Sequence, residues 1–339
     1  MGFSSKHRTL FGILSLLVHL AAPSAPQAQE RILISYGGFN ETVGPMWVAV
    51  EKSLFKKYGL DVSMLQVRSG PVSLSALMSG DVQAFWPAIS SVLSGVSGGA
   101  KIGCVASPFN RIARELVVRK EIESLAGLRD KVFGVQSIGG GFWLQTMIVL
   151  DQIGLDPDKY GVKMRVIGDE PTILQALLAS NIDAGVITFA SAAMAKRAGL
   201  RSLVNTSELR VPYQGAGICT RSDRIANSPD LIMRLVKGMI EGVVFIQEPR
   251  NKREVMAVLK KNLRLRTDED SEMSYNSLRL VSTLDVAPDP EAWRNIQRVV
   301  SRVTPKVKEL EIHQIINGSF VKNLEETGFL PEARRKLGL

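Results

Sequence analysis

Histidine and cysteine are scarce in this chain of 339 residues, which has three of the first and two of the second. Two of the histidines lie in the first 28 residues, so His313 is alone in the rest of the chain. A hydrolytic triad needs a histidine beside a nucleophile, and a zinc site needs several histidine or cysteine ligands. We therefore predict that the protein is not an enzyme and that it uses no metal and no cofactor.

Long apolar runs are also missing. Residues 9–22 form an apolar run that is shorter than the roughly 20 residues of a membrane-spanning helix. Basic residues at 6–8 precede this run, and the segment Ala-Pro-Ser-Ala-Pro-Gln-Ala follows it. This order is typical of a secretory signal peptide over residues 1–28, with cleavage near Ala28. A retained membrane anchor is the alternative. We expect an exported, periplasmic protein.

Export bears on the two cysteines. Cys104 and Cys219 each lie in a short apolar segment that is typical of a strand. An oxidising compartment permits a disulfide between them, but spacing alone does not show whether they are close enough. Two buried free thiols are the favoured interpretation.

Positive charge exceeds negative charge without forming a basic patch. The formal net charge of +9 falls to +7 when Lys6 and Arg8 leave with the predicted signal peptide. The remaining excess is spread along the chain, as on a solvated surface. Nucleic acid is therefore not an expected partner, although a weak attraction for anionic ligands remains open.

One unit of strand, turn and amphipathic helix recurs between residues 29 and 205. The steps SGDVQAF (residues 79–85) and SNIDAGV (residues 180–186) both lead from a helix with small apolar residues into a strand. Strands that alternate with helices at this spacing predict parallel sheets covered by helices. Two such units predict two α/β lobes, with ligands bound beyond the carboxyl ends of the strands.

The order of the units predicts a discontinuous first lobe. It comprises residues 29–116 and 213–339, including the C-terminal helices, and the second lobe comprises residues 117–212. Predicted strands at Glu115–Arg119 and Tyr213–Thr220 lie where the chain passes between the lobes. Two crossings of this kind form a hinge, and closure about a hinge is a common ligand-binding motion.

Three stretches of the chain resemble the exported substrate-binding proteins of ABC importers. They are Trp47–Phe85, Glu115–Gly141 and Leu174–Leu200, and they follow the predicted signal peptide in that order. The resemblance is to the nitrate, taurine, alkanesulfonate and thiamine-pyrimidine-precursor binders, the NMT1/THI5-like group. It implies a two-lobed periplasmic-binding-protein fold of type II, with the ligand cleft between the lobes. It further implies that a monomer delivers a small molecule to a membrane permease.

Two groups of enzymes share the fold that this resemblance implies. Sulfinate desulfinases use a cysteine in the first-lobe turn, which here is Gly37–Thr42 and has none. Fungal pyrimidine-precursor synthases use a histidine-containing site and a cysteine-rich segment, and this chain has neither. Both activities are therefore disfavoured. An exported sensor that presents its ligand to a membrane receptor remains an alternative to import.

The cleft of such a fold is lined by the turns that follow the strands. In this chain those turns combine aromatic side chains with hydrogen-bonding groups, which suits a small organic ligand with a flat or apolar body. Single aromatic residues of this kind also serve to cap a core. The predicted ligand-binding residues are Phe39, Asn40, Thr42, Trp86, Pro87, Phe109, Asn110, Arg111, Ser137, Gly139, Gly140, Gly141, Phe142, Thr188, Phe189, Tyr213 and Gln214.

The turn Ser137–Gly141 gives the most specific signal in this set. Glycines before a helix expose backbone N–H groups at its positive end, which suits a carboxylate, sulfonate or phosphate. A loop whose glycines only permit a tight turn is the alternative. Arg111 is able to supply further positive charge, whereas Glu41 favours an amine-bearing ligand. We predict a ligand with an anionic or strongly polar head.

Overall fold

The computed structural model describes residues 1–2, 29–67, 70–209 and 211–339. The predicted signal peptide, apart from its first two residues, lies outside the described residues and stays a prediction. No helix in the described ranges is long and apolar enough to cross a membrane.

The first sheet contains five strands in the spatial order β2-β1-β3-β10-β4. Strand β1 pairs in parallel with β2 and β3, whereas β10 is antiparallel to both of its neighbours. The strands are β1 (Glu30–Tyr36), β2 (Leu60–Gln66), β3 (Ala84–Trp86), β4 (Ile102–Ala106) and β10 (Ile218–Arg221).

The second sheet repeats this arrangement with the order β7-β6-β8-β5-β9. Here β6 pairs in parallel with β7 and β8, and β5 is antiparallel to β8 and β9. The strands are β5 (Arg114–Val118), β6 (Val132–Val135), β7 (Lys163–Val166), β8 (Ala184–Thr188) and β9 (Arg201–Asn205).

The prediction of parallel sheets is wrong for one strand in each sheet. Each antiparallel strand, β5 or β10, is the first strand that the chain forms after it passes between the sheets. Arg114 at the start of β5 pairs with Thr188 at the end of β8, so β5 begins at the edge where the parallel strands finish. A chain that arrives at this edge without a crossover helix has to run in the opposite direction.

Thirteen α-helices lie among the described residues and pack around the two sheets. They are α1 (Gly44–Glu51), α2 (Gly70–Ser79), α3 (Ile89–Ser97), α4 (Gly141–Gln152), α5 (Glu170–Leu178), α6 (Phe189–Arg197), α7 (Ser222–Asn227), α8 (Pro229–Gln247), α9 (Lys252–Leu263), α10 (Asp268–Val281), α11 (Pro290–Val300), α12 (Ser319–Glu326) and α13 (Phe329–Lys336).

The C-terminal helices contact both lobes. Helix α11 packs against α3 of the first lobe and α4 of the second, and Arg298 of α11 forms an ion pair of 2.6 Å with Asp151 of α4. On another side, α10 packs against α6 of the second lobe, where Asp270 pairs with Arg197 at 2.8 Å. This helical region therefore extends beyond the first lobe, to which the sequence assigns it.

The two cysteines form a disulfide, so the prediction of free thiols is wrong. Cys104 on β4 and Cys219 on β10 face each other across adjacent antiparallel strands, with their Cα atoms 4.1 Å apart. They are separated by 115 positions in sequence because the whole second lobe lies between them. Only the position of β10 beside β4 brings them together.

The predicted return strand Tyr213–Thr220 is shorter than expected. Regular pairing begins at Ile218, and residues 211–217 form an irregular segment. The side-chain hydroxyl of Ser107 donates to the carbonyl groups of this segment at Ala216 (2.9 Å) and Gly215 (3.2 Å). The Ser107 side chain thus supplies hydrogen bonds to carbonyl groups that a neighbouring strand would otherwise supply in a regular sheet. The lobe boundaries at residues 116 and 213 stay predictions, and β5 extends across the first of them.

Candidate functional site

A cleft of about 130 Å³, partly open to solvent, lies between the two sheets. We call it the interlobe cleft. Its walls are the turns after β1 and β3, the first turns of α2 and α3, and the beginning of α4. Nine of the predicted ligand-binding residues line it, from both lobes: Asn40, Thr42, Trp86, Pro87, Ser137, Gly140, Gly141, Phe142 and Tyr213.

Two further cavities adjoin the interlobe cleft. A second cavity of about 570 Å³ is lined by Phe39 and Thr188, which are predicted residues, and by Glu41 and Glu170. A third, smaller cavity of about 40 Å³ shares Arg114 with the cleft and Glu41 with the second cavity, and it is lined by the predicted residues Phe109, Arg111 and Thr188. The cavities thus follow one another along the interface between the lobes.

Four predicted residues line none of these cavities: Asn110, Gly139, Phe189 and Gln214. The amide of Gln214 is used internally, because its Oε1 accepts from Trp293 Nε1 at 2.7 Å and its Nε2 donates to the Ala287 carbonyl at 2.8 Å. Phe189 packs against the core of the first lobe. Gly139 has a φ of +77° and provides the left-handed residue of the turn before α4.

Arg114 is the cation of the interlobe cleft, and sequence reasoning missed it. Its side chain is 5% exposed, and Nη1 donates to Glu170 Oε2 at 3.2 Å. The guanidinium carbon lies 4.4 Å from the centroid of the Phe142 ring, as in a cation–π contact. The predicted strand began at Glu115, one residue too late, which left Arg114 in a loop. A charged residue directly before an apolar strand was the signal available.

Glu170 holds Arg114 in place from the beginning of α5. Its Oε1 accepts two hydrogen bonds from Thr188, from the backbone N at 2.9 Å and from Oγ1 at 2.6 Å, and its Oε2 faces Arg114. Helix α5 begins at Glu170, and the Glu170 side chain turns into the interior. A buried ion pair with further hydrogen bonds of this kind fixes a guanidinium in one orientation.

The beginning of α4 brings backbone donors to the same cleft. Gly140 occupies the N-cap position without a side-chain cap, and the first intrahelical bond runs from Leu144 N to Gly140 O. A side chain at Gly140 would require Ser137 to move, since an added Cβ would lie 2.3 Å from Ser137 Oγ. The Cβ of Ala88 from the first lobe lies only 3.1 Å from where a Cβ of Gly141 would stand. Glycine thus lets the positive end of α4 approach the first lobe closely.

Aromatic and amide side chains complete the interlobe cleft. Trp86 Nε1 donates to the Thr42 carbonyl at 3.3 Å, and its ring meets Phe109 edge to face at 6.1 Å. Gln145 Nε2 donates to Tyr213 Oη at 2.5 Å, while Gln145 Oε1 is buried and has no hydrogen-bond partner among the described residues. Gln145 was missed because it lies one helical turn beyond the predicted Gly-rich segment.

Asn40 and Thr42 form hydrogen bonds with each other, so they are not two independent polar groups on the cleft wall. Asn40 Oδ1 accepts from Thr42 N at 3.0 Å and from Thr42 Oγ1 at 2.6 Å. The pair caps a short 3₁₀ turn over Glu41–Val43. This turn directs Glu41 into the interior, where it is 3% exposed and accepts a hydrogen bond from Ser277 Oγ at 2.5 Å. Burial raises the pKa of Glu41 to about 7, and the charge of Glu170 adds to the shift.

This arrangement is suited to binding a small ligand. His313, the one histidine among the described residues, is exposed and lies beside Glu311. Within the described ranges no three histidine, cysteine, aspartate or glutamate side chains come together to hold a metal ion. A buried guanidinium, helix N–H groups and aromatic walls together fit a small anion with an apolar body.

Known proteins are related to this chain in sequence and in fold. The family described as "NMT1/THI5 like" matches residues 40–251. A protein of Brucella abortus (strain 2308) is 25% identical over 248 residues, which is 71% of this chain and 74% of that protein.

Solved structures share the fold at low sequence identity. The ligand-binding component of an ABC-type import system from Staphylococcus aureus, solved with zinc bound, has a TM-score of 0.71 at 14% identity over 87% of this chain and 98% of its own. The periplasmic aliphatic sulphonate-binding protein SsuA from Escherichia coli has a TM-score of 0.69 at 19% identity, over 86% and 92%. The predicted two-lobed periplasmic-binding-protein fold is confirmed.

Proposed function

Since this chain belongs to the NMT1/THI5-like family, we propose that it is the exported substrate-binding protein of an ABC importer. It captures a small organic anion between its lobes and delivers it to a membrane permease, without chemical conversion. The observation that carries this proposal is Arg114, a buried guanidinium on the wall of the interlobe cleft beside the unblocked beginning of α4.

The charge of the cleft supports an anionic ligand. A guanidinium has several N–H donors, and the ion pair with Glu170 engages Nη1. The ion pair also fixes the orientation of Arg114, so little side-chain entropy is lost when a ligand binds. Carboxylates, sulfonates and phosphates accept paired hydrogen bonds from such a group, and the positive end of α4 adds to the attraction.

The size and the walls of the cleft support a small ligand with an apolar portion. Its volume of about 130 Å³ is small, and its lining combines apolar surface with a few polar groups, as in small-molecule sites. Trp86 and Phe142 are nearly buried and present aromatic surface from opposite lobes. A ligand held between them contacts both lobes, which couples binding to closure of the cleft.

The neighbours favour import. By their descriptions, one similar structure belongs to an ABC-type import system and another binds aliphatic sulphonates in the periplasm. A periplasmic location and a permease partner follow for this chain as part of the proposal. The disulfide Cys104–Cys219 fits an oxidising compartment.

A thermal-shift screen of the purified protein tests the proposal. The compounds are alkyl and aryl sulfonates, carboxylates, nitrate, pyrimidines and amines. A ligand that binds only the native state raises the melting temperature by mass action. We expect shifts with organic anions, and recovery of the compound unchanged after incubation. Shifts only with amines, or conversion of the compound, would contradict the proposal.

A further inference from the structure

The turn after β1 places a carboxylate inside the protein with little to balance its charge. Glu41 is 3% exposed, and Ser277 of α10 is its only side-chain hydrogen-bond partner in the part of the chain that the structure describes. Glu41 belongs to the first lobe and Glu170 to the second, and both line the second cavity. Two buried carboxylates therefore face the same space from opposite lobes.

These two carboxylates have different partners. Glu170 receives Arg114 Nη1 at 3.2 Å and two hydrogen bonds from Thr188. Glu41 lines the third cavity together with Arg114, but within the described ranges it forms no ion pair. Because Arg114 is bonded to Glu170, a negative charge on Glu41 has no cation in contact with it.

The other charged groups near this turn are exposed to solvent or have partners of their own. Helices α1 and α10 pack against it; the exposed Arg264 and Arg266 line the second cavity, and the exposed Arg111 lines the third. Each charged side chain of the two helices has a partner elsewhere: Glu51 with Lys261, Asp268 with Lys260, Glu269 and Asp270 with Arg197, Glu272 with Lys252, and Arg279 against the Tyr275 ring.

We propose that Glu41 is a specificity-determining residue, because the interlobe cleft holds an organic anion at Arg114 only while Glu41 carries a proton. Each anion bound from neutral or alkaline solution then brings one proton from solvent onto the Glu41 carboxyl. This inference rests on the proposed function, since it assumes that the ligand is an anion.

The balance of charge gives the reason. With Glu41 ionised, an anion beside Arg114 has two buried carboxylates near it, and Arg114 is the one buried guanidinium on these walls, since the other arginines of the three cavities are exposed to solvent. Protonation of Glu41 removes one negative charge while its hydrogen bond with Ser277 is kept. In a buried site, where water screens charges weakly, like charges at short range strongly disfavour binding.

The sign of the pH dependence follows from the pKa. Burial raises the pKa of Glu41 to about 7 in the free protein, and a bound anion raises it further. Below this pKa the carboxyl is neutral and the affinity is at its maximum. Above it, each pH unit lowers the affinity for the anion by up to about tenfold. A ligand that places an ammonium group beside Glu41 would give the opposite sign.

Calorimetric titration with benzenesulfonate and 1-butanesulfonate, from about pH 5.5 to about pH 8.5, tests this. Neither probe titrates in this range, and His313 lines none of the three cavities and is 75% exposed in its side chain. We expect the wild-type affinity to fall by at least about tenfold over the upper half of the range. Glu41→Gln is expected to bind at every pH as the wild type does at low pH. Glu51→Gln, the same change at the far end of α1, is expected to keep the wild-type dependence.

The outcomes separate the two proposals. If neither sulfonate binds the wild type or Glu41→Gln at any pH, the proposed anion ligand fails. If both bind with a constant affinity, or more tightly as the pH rises, the role of Glu41 fails and anion binding stands. If Glu41→Gln does not fold, titration of the wild type in buffers of different ionisation enthalpy decides. We expect uptake of about one proton per bound sulfonate near pH 8 and none near pH 5.5; no uptake at either pH overturns the inference.

Discussion

Strands β5 and β10 occupy equivalent positions in the two sheets but serve different purposes. Both are antiparallel, and both begin at the cleft edge after the chain crosses between the lobes. Strand β10 is joined to β4 by the disulfide Cys104–Cys219. Strand β5 has no cysteine and begins with Arg114, whose charge is directed into the cleft. The same topology thus provides a disulfide in one lobe and a buried charged residue on the cleft wall in the other.

Removal of the charge at the start of β5 is expected to have the largest effect on stability and on ligand binding. Arg114→Met leaves Glu170 buried without its cation, and we expect a loss of about 4 to 5 kcal/mol of unfolding free energy. The double variant Arg114→Met/Glu170→Gln removes both charges and is expected to recover most of that stability, but not anion binding. Chemical denaturation and calorimetric titration measure the two effects. Anion binding by the double variant would contradict the role of Arg114.

Removal of the disulfide that holds β10 is expected to lower the stability of the protein without changing its ligand affinity. The disulfide closes a segment of 115 positions that includes the second lobe. Cys104→Ala/Cys219→Ala is expected to lower the unfolding free energy by about 3 to 4 kcal/mol, chiefly through the greater freedom of the unfolded chain. Ligand affinity, measured well below the melting temperature, is expected to stay unchanged. A loss of affinity greater than about tenfold would show that β10 also shapes the cleft.

Glu41 allows a smaller test of the same cleft, through stability instead of binding. In the unfolded chain its carboxyl titrates near 4.5, and burial raises the pKa in the folded protein to about 7. As the pH rises between these values, the unfolded state loses its proton first, so the folded state is progressively destabilised. Glu41→Gln is therefore expected to be more stable than the wild type by about 2 to 3 kcal/mol at pH 8. Near pH 4 the two are expected to be equal, and a constant difference in denaturation midpoint would contradict this.

An exposed ion pair between the lobes gives the smallest expected effect. Arg298 and Asp151 meet at 2.6 Å with side chains 51% and 34% exposed. Because solvent screens this pair, Arg298→Ala is expected to change the unfolding free energy by less than about 1 kcal/mol. This change in unfolding free energy is compared with that of Arg114→Met, which removes the buried pair Arg114–Glu170. A loss as large as that of Arg114→Met would show that the lobes depend on this surface contact.

The sequence predicts the parallel core of each lobe well and the strands between the lobes less well. The steps SGDVQAF and SNIDAGV lead into strands as predicted, into β3 (Ala84–Trp86) and β8 (Ala184–Thr188), because each strand is a short apolar run after turn residues. The antiparallel strands lack this context, so Tyr213–Thr220 was too long and the start of β5 was one residue late. Local sequence patterns do not show which strands are neighbours in a sheet.

The residues of the candidate site divide in the same way: the sequence predicts those beside the end of a strand or helix and misses those that depend on contacts between distant segments. Turn residues such as Trp86 and Gly140 were predicted because they directly follow strands or precede a helix. Arg114 was missed because its partner Glu170 is 56 positions away, and the disulfide was missed because its cysteines are 115 positions apart. Contacts of this kind depend on how the two lobes meet, which no local spacing reveals.

We propose above that Arg114 anchors an organic anion between the lobes. A crystal structure of the protein with the anion that gives the largest thermal shift tests it most directly. We predict that the anionic group lies within hydrogen-bond distance of the Arg114 guanidinium and that its body contacts Trp86 or Phe142. An anion bound elsewhere, with Arg114 bonded only to Glu170, would contradict the claim.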